Sequence, residues 1–410
     1  MLKPETSKKL IFPVFLTVLI DMLGLGIIIP ILPQLLLDPK FGILASEADS
    51  SVRNIVYGFL VASFPLMQFF GAPVLGALSD KFGRRRILLI SLAGTFFGYL
   101  LFAYGIHAKA ILILFFARAL DGFTGGNIST AMSVISDISP PEKKARNFGM
   151  IGAAFGIGFV IGPYVGGALS DPSRVSWFSA TTPLLFAALL SFINILLVFF
   201  RLPETLKNPQ QTRVSILTGF RNLGKAFSNP DTRTVFIAVF FLALGFTFFT
   251  QFFQVYLYHK FAYNASQTGD VLAYIGIWII IAQGGLMRPL SKKFKAWQIM
   301  RVSPFILAFA LLAILWPDKP TLLFFVLPFV SLSQGVTQPN INTVVSNQVS
   351  PDRQGEILGI NQSVQSFAMA IPPIAAAYLT NINIDLPTIA AASFVFLAWL
   401  IFVIFYKARV

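Results

Sequence analysis

Residues 55–106 read IVYGFLVASFPLMQFFGAPVLGALSDKFGRRRILLISLAGTFFGYLLFAYGI. The two apolar runs, 55–78 and 87–106, each reach the length of about 20 residues that a helix needs to cross roughly 30 Å of hydrocarbon. Only the short turn SDKFGRRR separates them. A backbone inside a bilayer finds no water to bond with, so each run must satisfy its own hydrogen bonds as a helix. The bases Lys81, Arg84, Arg85 and Arg86 in the turn hold it at the anionic inner face of a membrane. The stretch is therefore a hairpin of membrane helices.

The rest of the chain repeats this pattern. Of its 410 residues 56% are hydrophobic and 12% charged, and the mean hydropathy is +0.75, too apolar to leave a wettable surface around a soluble core. Ten further runs, 10–36, 110–136, 148–169, 179–200, 234–258, 268–290, 299–316, 321–346, 357–379 and 388–406, predict an all-α membrane protein of twelve transmembrane helices. The net charge of +14 would suit nucleic acid, but Lys and Arg collect in alternate loops. Among them are Lys143, Lys144 and Arg146, then Arg201 to Arg233, then Arg288, Lys292, Lys293, Lys295 and Arg301. The positive-inside rule then assigns both termini to the cytoplasm and makes the lipid bilayer, not nucleic acid, the partner. The basic start up to Lys9 runs into the first apolar stretch with no small-residue cleavage site, and reads as an uncleaved helix.

The longest polar interval, 201–233, carries Pro203, Pro209, Asn222, Asn229 and Pro230. It divides the chain into a six-helix bundle over 1–200, a cytoplasmic linker, and a second six-helix bundle over 234–410. An internal repeat makes the bundles pseudo-symmetric. A shift of 210 sets Gly125, Pro140, Gly149, Pro163 and Leu169 on Gly335, Ser350, Gly359, Pro373 and Leu379. Leu78 to Phe82, LSDKF, returns as LSKKF at Leu290 to Phe294. A shift of 221 sets Gly24 on Gly245 and the pair Pro30 and Pro33 on Gln251 and Gln254, so insertions separate the two copies.

Three ionisable residues lie deep within the apolar runs: Asp21 in the first, Arg118 and Asp121 in the fourth. A charge at mid-membrane costs about 2.5–3.5 kcal/mol on insertion scales, so such residues face a cavity or a partner and mark a path for ions or substrate. Arg118 and Asp121, three apart on one helix, also suit mutual neutralisation. The second half offers neutral amides instead: Gln251, Gln254, Gln283, Gln334, Gln338, Asn340, Asn342, Gln362 and Gln365. Such amides line substrate cavities or bond helix to helix. Ion handling thus falls to the first half and substrate selection to the second. His107 and His259 sit at helix ends, no metal-ligand spacing occurs within a run, and there is no Cys and no GxxxxGK[ST] string. A receptor or intramembrane enzyme has little support, and neither a metal nor a cofactor is expected beyond a proton gradient.

The string GALSDKFGRRR, Gly76 to Arg86, resembles the signature of the major facilitator superfamily. The resemblance implies the major facilitator fold and a conformational latch built from Gly76, Asp80, Gly83, Arg84 and Arg85. Asp137 is the candidate partner of Arg84 or Arg85, and the helix beginning near Gly355 and Glu356 offers an opposing dipole. Arg118, Gly122, Gly125 and Gly126 resemble the superfamily's second motif, whose Arg is implicated in proton coupling. GIGFVIGPYVGG, with Gly158, Gly162, Pro163, Gly166 and Gly167, resembles the motif of antiporters. Its glycines four apart make a flat face and its proline bends the rod, which suits a hinge.

Asp21, Gly24, Gly26, Pro30 and Pro33 in IDMLGLGIIIPILPQLL, with RLPETL at Arg201 to Leu206, are similar to tetracycline-efflux-type drug:proton antiporters. The likeness extends over nearly the whole chain and is most specific from Leu10 to Leu169. It implies multidrug efflux and antibiotic resistance by alternating access in a bacterial inner membrane, with the protein acting as a monomer. Asp21, Arg118 and Asp121 would couple protons, and Arg118 would stabilise whichever carboxylate is charged. A small amphipathic or hydrophobic substrate would lie among Asn127, Gln251, Gln254, Gln283, Gln334, Gln338, Phe64, Tyr99, Phe123, Phe248, Phe249 and Phe252. The sequence departs from the tetracycline pumps in two places. Gly98 stands where they carry an acid in the third helix, and the eighth helix lacks their His. Asp121 would then take over a proton site. The alternative on the same fold is an importer or facilitator of a nutrient or metabolite.

Overall fold

In the computed structural model the described residues are 4–139, 141–206, 214–349 and 354–407. Pro140, Lys207, Pro209, Arg213, Ser350, Arg353 and Arg409 lie outside them, as do the side chains of Lys8, Lys9, Lys143, Lys144, Arg146 and Glu356. Ten helical spans among the described residues are long and apolar enough to cross a membrane: Ile11–Leu37, Ser50–Phe82, Arg84–His107, Ile111–Ile138, Thr182–Arg201, Arg233–Phe261, Ala265–Lys293, Ala296–Ala313, Pro320–Ser346 and Leu386–Phe405. The helices Pro141–Leu169 and Gln354–Ile382 take the fifth and eleventh places, which completes the twelve. Large apolar side chains point outward, with Leu112 79% and Phe325 73% exposed, as lipid-facing surfaces require and water-facing ones do not. The chain is an integral membrane protein.

Several rods are interrupted where the sequence removes or loosens a backbone bond. In the first span the helix Pro4–Ile28 gives way to Ile31–Leu37 at Pro30, which lacks an N–H. In the fourth, Ile111–Thr124 tightens into a 3-10 turn at Gly125–Asn127 before Ile128–Ile138 resumes. In the eighth, Ala265–Ile281 passes through a π turn, Ala282–Leu286, into Met287–Lys293. The interval expected as a linker holds a further helix, Thr218–Ser228.

By compactness the chain divides between Gly219 and Phe220, with two short segments exchanged. One unit comprises Met1–Ser46, Ser63–Gly219 and Ala265–Asp270; the other comprises Glu47–Ala62, Phe220–Asn264 and Val271–Val410. In the first unit the first span packs on the fifth and sixth, and the third packs on the fourth and sixth. In the second unit the seventh span packs on the eleventh and twelfth, and the ninth on the tenth and twelfth. Each pairing recurs six spans later, which is the pseudo-symmetry of a duplicated six-helix bundle.

Lipid tails are as apolar as leucine, so the drive between these rods is close packing. Small residues supply it. A Cβ added at Gly158, Gly162 or Gly166 of the fifth span would press on Met22 and Leu23, Gly26, or Ile27 of the first, so the three glycines form one contact face. Gly167 points elsewhere, toward the backbone of Ala265 to Gly269. Pro163 remains inside a continuous helix with its ring against Gly26. Between the second and fourth spans the approach is backbone on backbone: Gly71 lies against Phe123, Gly122 against Phe64, and Gly126 against Gly71 and Ala72.

Candidate functional site

The local break in the fourth span sets up the site. The 3-10 turn carries Asn127, 2% exposed, to the first span, where its Nδ2 donates to Asp21 Oδ2 at 2.7 Å. From the sixth span Asn194 donates to Asp21 Oδ1 at 3.4 Å and to the Thr17 carbonyl at 3.3 Å. Asp21 is thus held by two neutral amides. Earlier on the same span, Arg118 and Asp121 are 6% and 4% exposed. Their side chains meet at 3.4 Å, and the Arg118 guanidinium lies 4.6 Å from the centroid of the Phe64 ring. Burial in a low-dielectric surrounding strengthens such a pair but also demands it, since a lone buried charge is costly.

A small cavity joins the two acids. Asp21, Met22, Leu25, Phe64, Gln68, Thr95, Tyr99, Asp121, Gly125 and Asn127 line it. Of the expected proton-coupling residues, Asp21 and Asp121 face this space, while Arg118 stands behind Asp121. Arg118 pairs with Asp121, and the carboxyl of Asp21 goes to Asn127 and Asn194. Of the expected cavity residues in this unit, Phe64, Tyr99 and Asn127 line the space. Phe123 does not; it is half-buried, and its backbone meets Gly71. Gly98 lies directly on Asp121, since a Cβ there would be 3.2 Å from Asp121 Cβ. A side chain at position 98 would have to displace Asp121 slightly.

In the second unit Gln254 is buried, with Nε2 3.4 Å from Tyr57 Oη, and Tyr57 donates to the carbonyl of Gln251 at 2.8 Å. Phe252 packs edge-on to Tyr57, Phe248 stacks on Phe394, and Phe249 tilts on Phe253. Gln334 reaches Gln338 at 3.5 Å on one helix face, and half-buried Gln283 sits in the π turn.

The expected latch residues meet at the turn between the second and third spans. Gly83 has φ 103°, a left-handed conformation that favours glycine, and it caps the helix Arg84–His107. Arg84 pairs with Asp80, donates from Nη1 to Ser79 at 2.7 Å and meets Asp137 at 3.2 Å through Nε. Arg85 turns away to the Phe199 carbonyl and lies over the Phe199 ring at 5.2 Å. Gly76 is in ordinary contact distance of Ser129.

Sequence reasoning missed Glu204. Its carboxylate accepts the backbone N–H of Arg84 at 2.9 Å and of Arg85 at 3.2 Å, two otherwise unpaired donors of a helix N-terminus. Thr205 beside it donates to Asp137 at 3.3 Å, so the segment after the sixth span is tied to the same cluster. Removing this cap by Glu204→Ala is expected to cost about 1 kcal/mol at the start of the third span. Hydrogen–deuterium exchange at the amides of Arg84 and Arg85 then rises about fivefold. Gln68, Thr95 and Asn194 were missed as well. Their signal was present, since Gln68 and Asn194 are each the sole amide in their apolar runs.

The sequence matches the profile of the Major Facilitator Superfamily over residues 14–373. It is 32% identical to the Tetracycline resistance protein, class C, of Escherichia coli, across 87% of this chain and 86% of that one. It is 30% identical to Major facilitator superfamily domain-containing protein 10 of Mus musculus, across 92% of this chain and 88% of that one. The crystal structure of the human organic anion transporter MFSD10 (TETRAN) superposes with a TM-score of 0.73 at 23% identity, covering 97% of this chain and 99% of that chain.

Proposed function

Since the chain belongs to the Major Facilitator Superfamily, whose members are transporters and not enzymes, we propose that it is a proton-coupled exporter of a small amphipathic or hydrophobic molecule. The observation that carries the proposal is the pair of carboxyls, Asp21 and Asp121, on one small cavity inside an otherwise apolar bundle. Acids in such a place are expensive to keep, and they are useful where a proton is taken up from one side and released to the other.

In this reading Asp21 and Asp121 carry the proton, and Arg118 holds Asp121 in place through its pair and its seat on Phe64. With Gly98 packed on it, Asp121 takes from the fourth span the part that tetracycline pumps give to a third-span acid. Tetracycline itself is therefore not the expected cargo. Alternating access by rocking of two bundles exposes the site to one side at a time. A proton arriving from outside neutralises an acid and weakens its hold on a cationic or polar cargo. Gly76, Asp80, Gly83, Arg84, Arg85 and Asp137 act as the conformational latch, and Gly158, Gly162, Pro163, Gly166 and Gly167 as the hinge. Gln251, Gln254, Gln283, Gln334, Gln338, Phe248, Phe249 and Phe252 contribute cargo contacts. By the positive-inside rule both termini face the cytoplasm, and in this reading the protein works as a monomer in a bacterial inner membrane, driven by the proton gradient.

The test is direction. Purified protein in vesicles with an imposed pH gradient is offered ethidium, tetracycline and p-aminohippurate while internal pH is followed. Probe movement opposite to the proton is expected for the cation. Movement of any probe together with the proton overturns export in favour of import on the same fold. Uptake of p-aminohippurate alone reassigns the cargo to organic anions, as for the human organic anion transporter MFSD10.

A further inference from the structure

Asn194 is completely buried in the sixth span, and neither the proton carriers nor the latch include it. Its Nδ2 serves Asp21 Oδ1 and the Thr17 carbonyl, while its own Oδ1 is buried without a hydrogen-bond partner among the described residues. On the other side of the carboxyl, Asn127 donates to Oδ2. Asp21 therefore faces two donors, an arrangement that fits a carboxylate. A carboxylic acid is different chemistry, because its O–H must find an acceptor. An unpartnered acceptor is already at hand, on the other arm of the same Asn194 amide.

We propose that Asn194 is a positioning residue that follows the protonation state of Asp21 by turning its amide. When Asp21 is charged, Nδ2 faces the carboxylate. When Asp21 takes up a proton, a half-turn about χ2 presents Oδ1, which accepts the new O–H. The proton remains on Asp21, and no covalent bond of Asn194 changes. The turn withdraws Nδ2 from both Asp21 Oδ1 and the Thr17 carbonyl, so protonation replaces two hydrogen bonds that the sixth span donates to the first by one that it accepts from it. The arrival of a proton thereby alters how these two packed rods are tied.

The ionisable groups around Asp21 are few among the described residues. Tyr99 faces it from the third span and Asp121 from the fourth, where Arg118 is turned to Asp121 and Phe64. The second span presents neutral Phe64 and Gln68. On the fifth, Gly158 and Gly162 meet the neighbouring Met22, Leu23 and Gly26. The sixth presents Asn194 itself.

This inference rests on Asp21 being a proton site, and the experiment separates the two claims. Infrared difference spectra of the full-length protein in lipid vesicles, taken across pH, read the carbonyl stretch of protonated carboxyls. The Asp21 band is the one lost in Asp21→Asn. In Asn194→Leu that band is expected at higher wavenumber, as for an acid that has lost a hydrogen-bond partner, with its midpoint moved by roughly one pH unit. Asn194→Ala, which cannot overfill the site, gives the same shift. An Asp21 band unchanged in frequency and midpoint in either variant overturns the role of Asn194 and leaves Asp21 as the proton site. Spectra without any Asp21-dependent band overturn both claims.

Discussion

Asp21→Asn is expected to reduce proton-driven flux to background while the protein stays folded in the membrane at its normal level. The substitution keeps the shape of the side chain and its place between Asn127 and Asn194, but it removes the group that binds and releases a proton. It also removes a charge from the interior of an apolar bundle, so stability is retained or improved. Two measurements on the same vesicles check this. Flux under an imposed pH gradient falls to the level of empty vesicles, whereas downhill exchange of labelled probe across equal pH persists. Gradient-dependent flux that survives in this variant would remove Asp21 from the coupling scheme.

Gly71→Val is expected to have the largest effect on stability, about 4 kcal/mol, at the upper end for a point substitution. A Cβ at Gly71 would stand 2.8 Å from the carbonyl carbon and 2.9 Å from the Cα of Phe123. Backbone cannot turn aside as a side chain can, so the second and fourth spans would have to separate. That movement would also open the seat of Arg118 on Phe64 and the cavity beside it. Gly284→Val is the control, because an added Cβ there meets nothing within 4 Å. The melting temperature in detergent should fall steeply for the first and little for the second. Equal losses would show that helix propensity, not the crossing, controls the effect.

The architecture was readable because lipid leaves a backbone few options, and an apolar run of the right length has one structure to form. The span ends were set short. Helices continue past the hydrocarbon through polar residues, as Ser50 to Arg53 and Asp80 to Phe82 do, and hydropathy is blind to that extension. The interruption at Ala282–Leu286 was hidden for a related reason. A rod that is apolar on every side has little periodicity to lose when its winding changes.

For the site, the depth of Asp21, Arg118 and Asp121 was legible from their cost alone, and Asp137 was expected beside Arg84 or Arg85. Which group holds which acid was not. Asp21 is held by residues 106 and 173 positions further on, and Arg118 was free on paper to serve either carboxyl. Those choices depend on which helices touch, and a single-chain pattern does not encode that. Phe123 shows the converse: its aromatic side chain attracted the assignment, while its backbone makes the close contact.

The π turn at Ala282–Leu286 decides what the eighth span presents on either side of it. A π turn contains one residue more than the α-helix it interrupts, so side chains before and after it are rotated relative to each other by about 100°. Ala265–Ile281 and Met287–Lys293 therefore share no continuous stripe, and residues counted at helical spacing across the turn do not fall on one side of the rod.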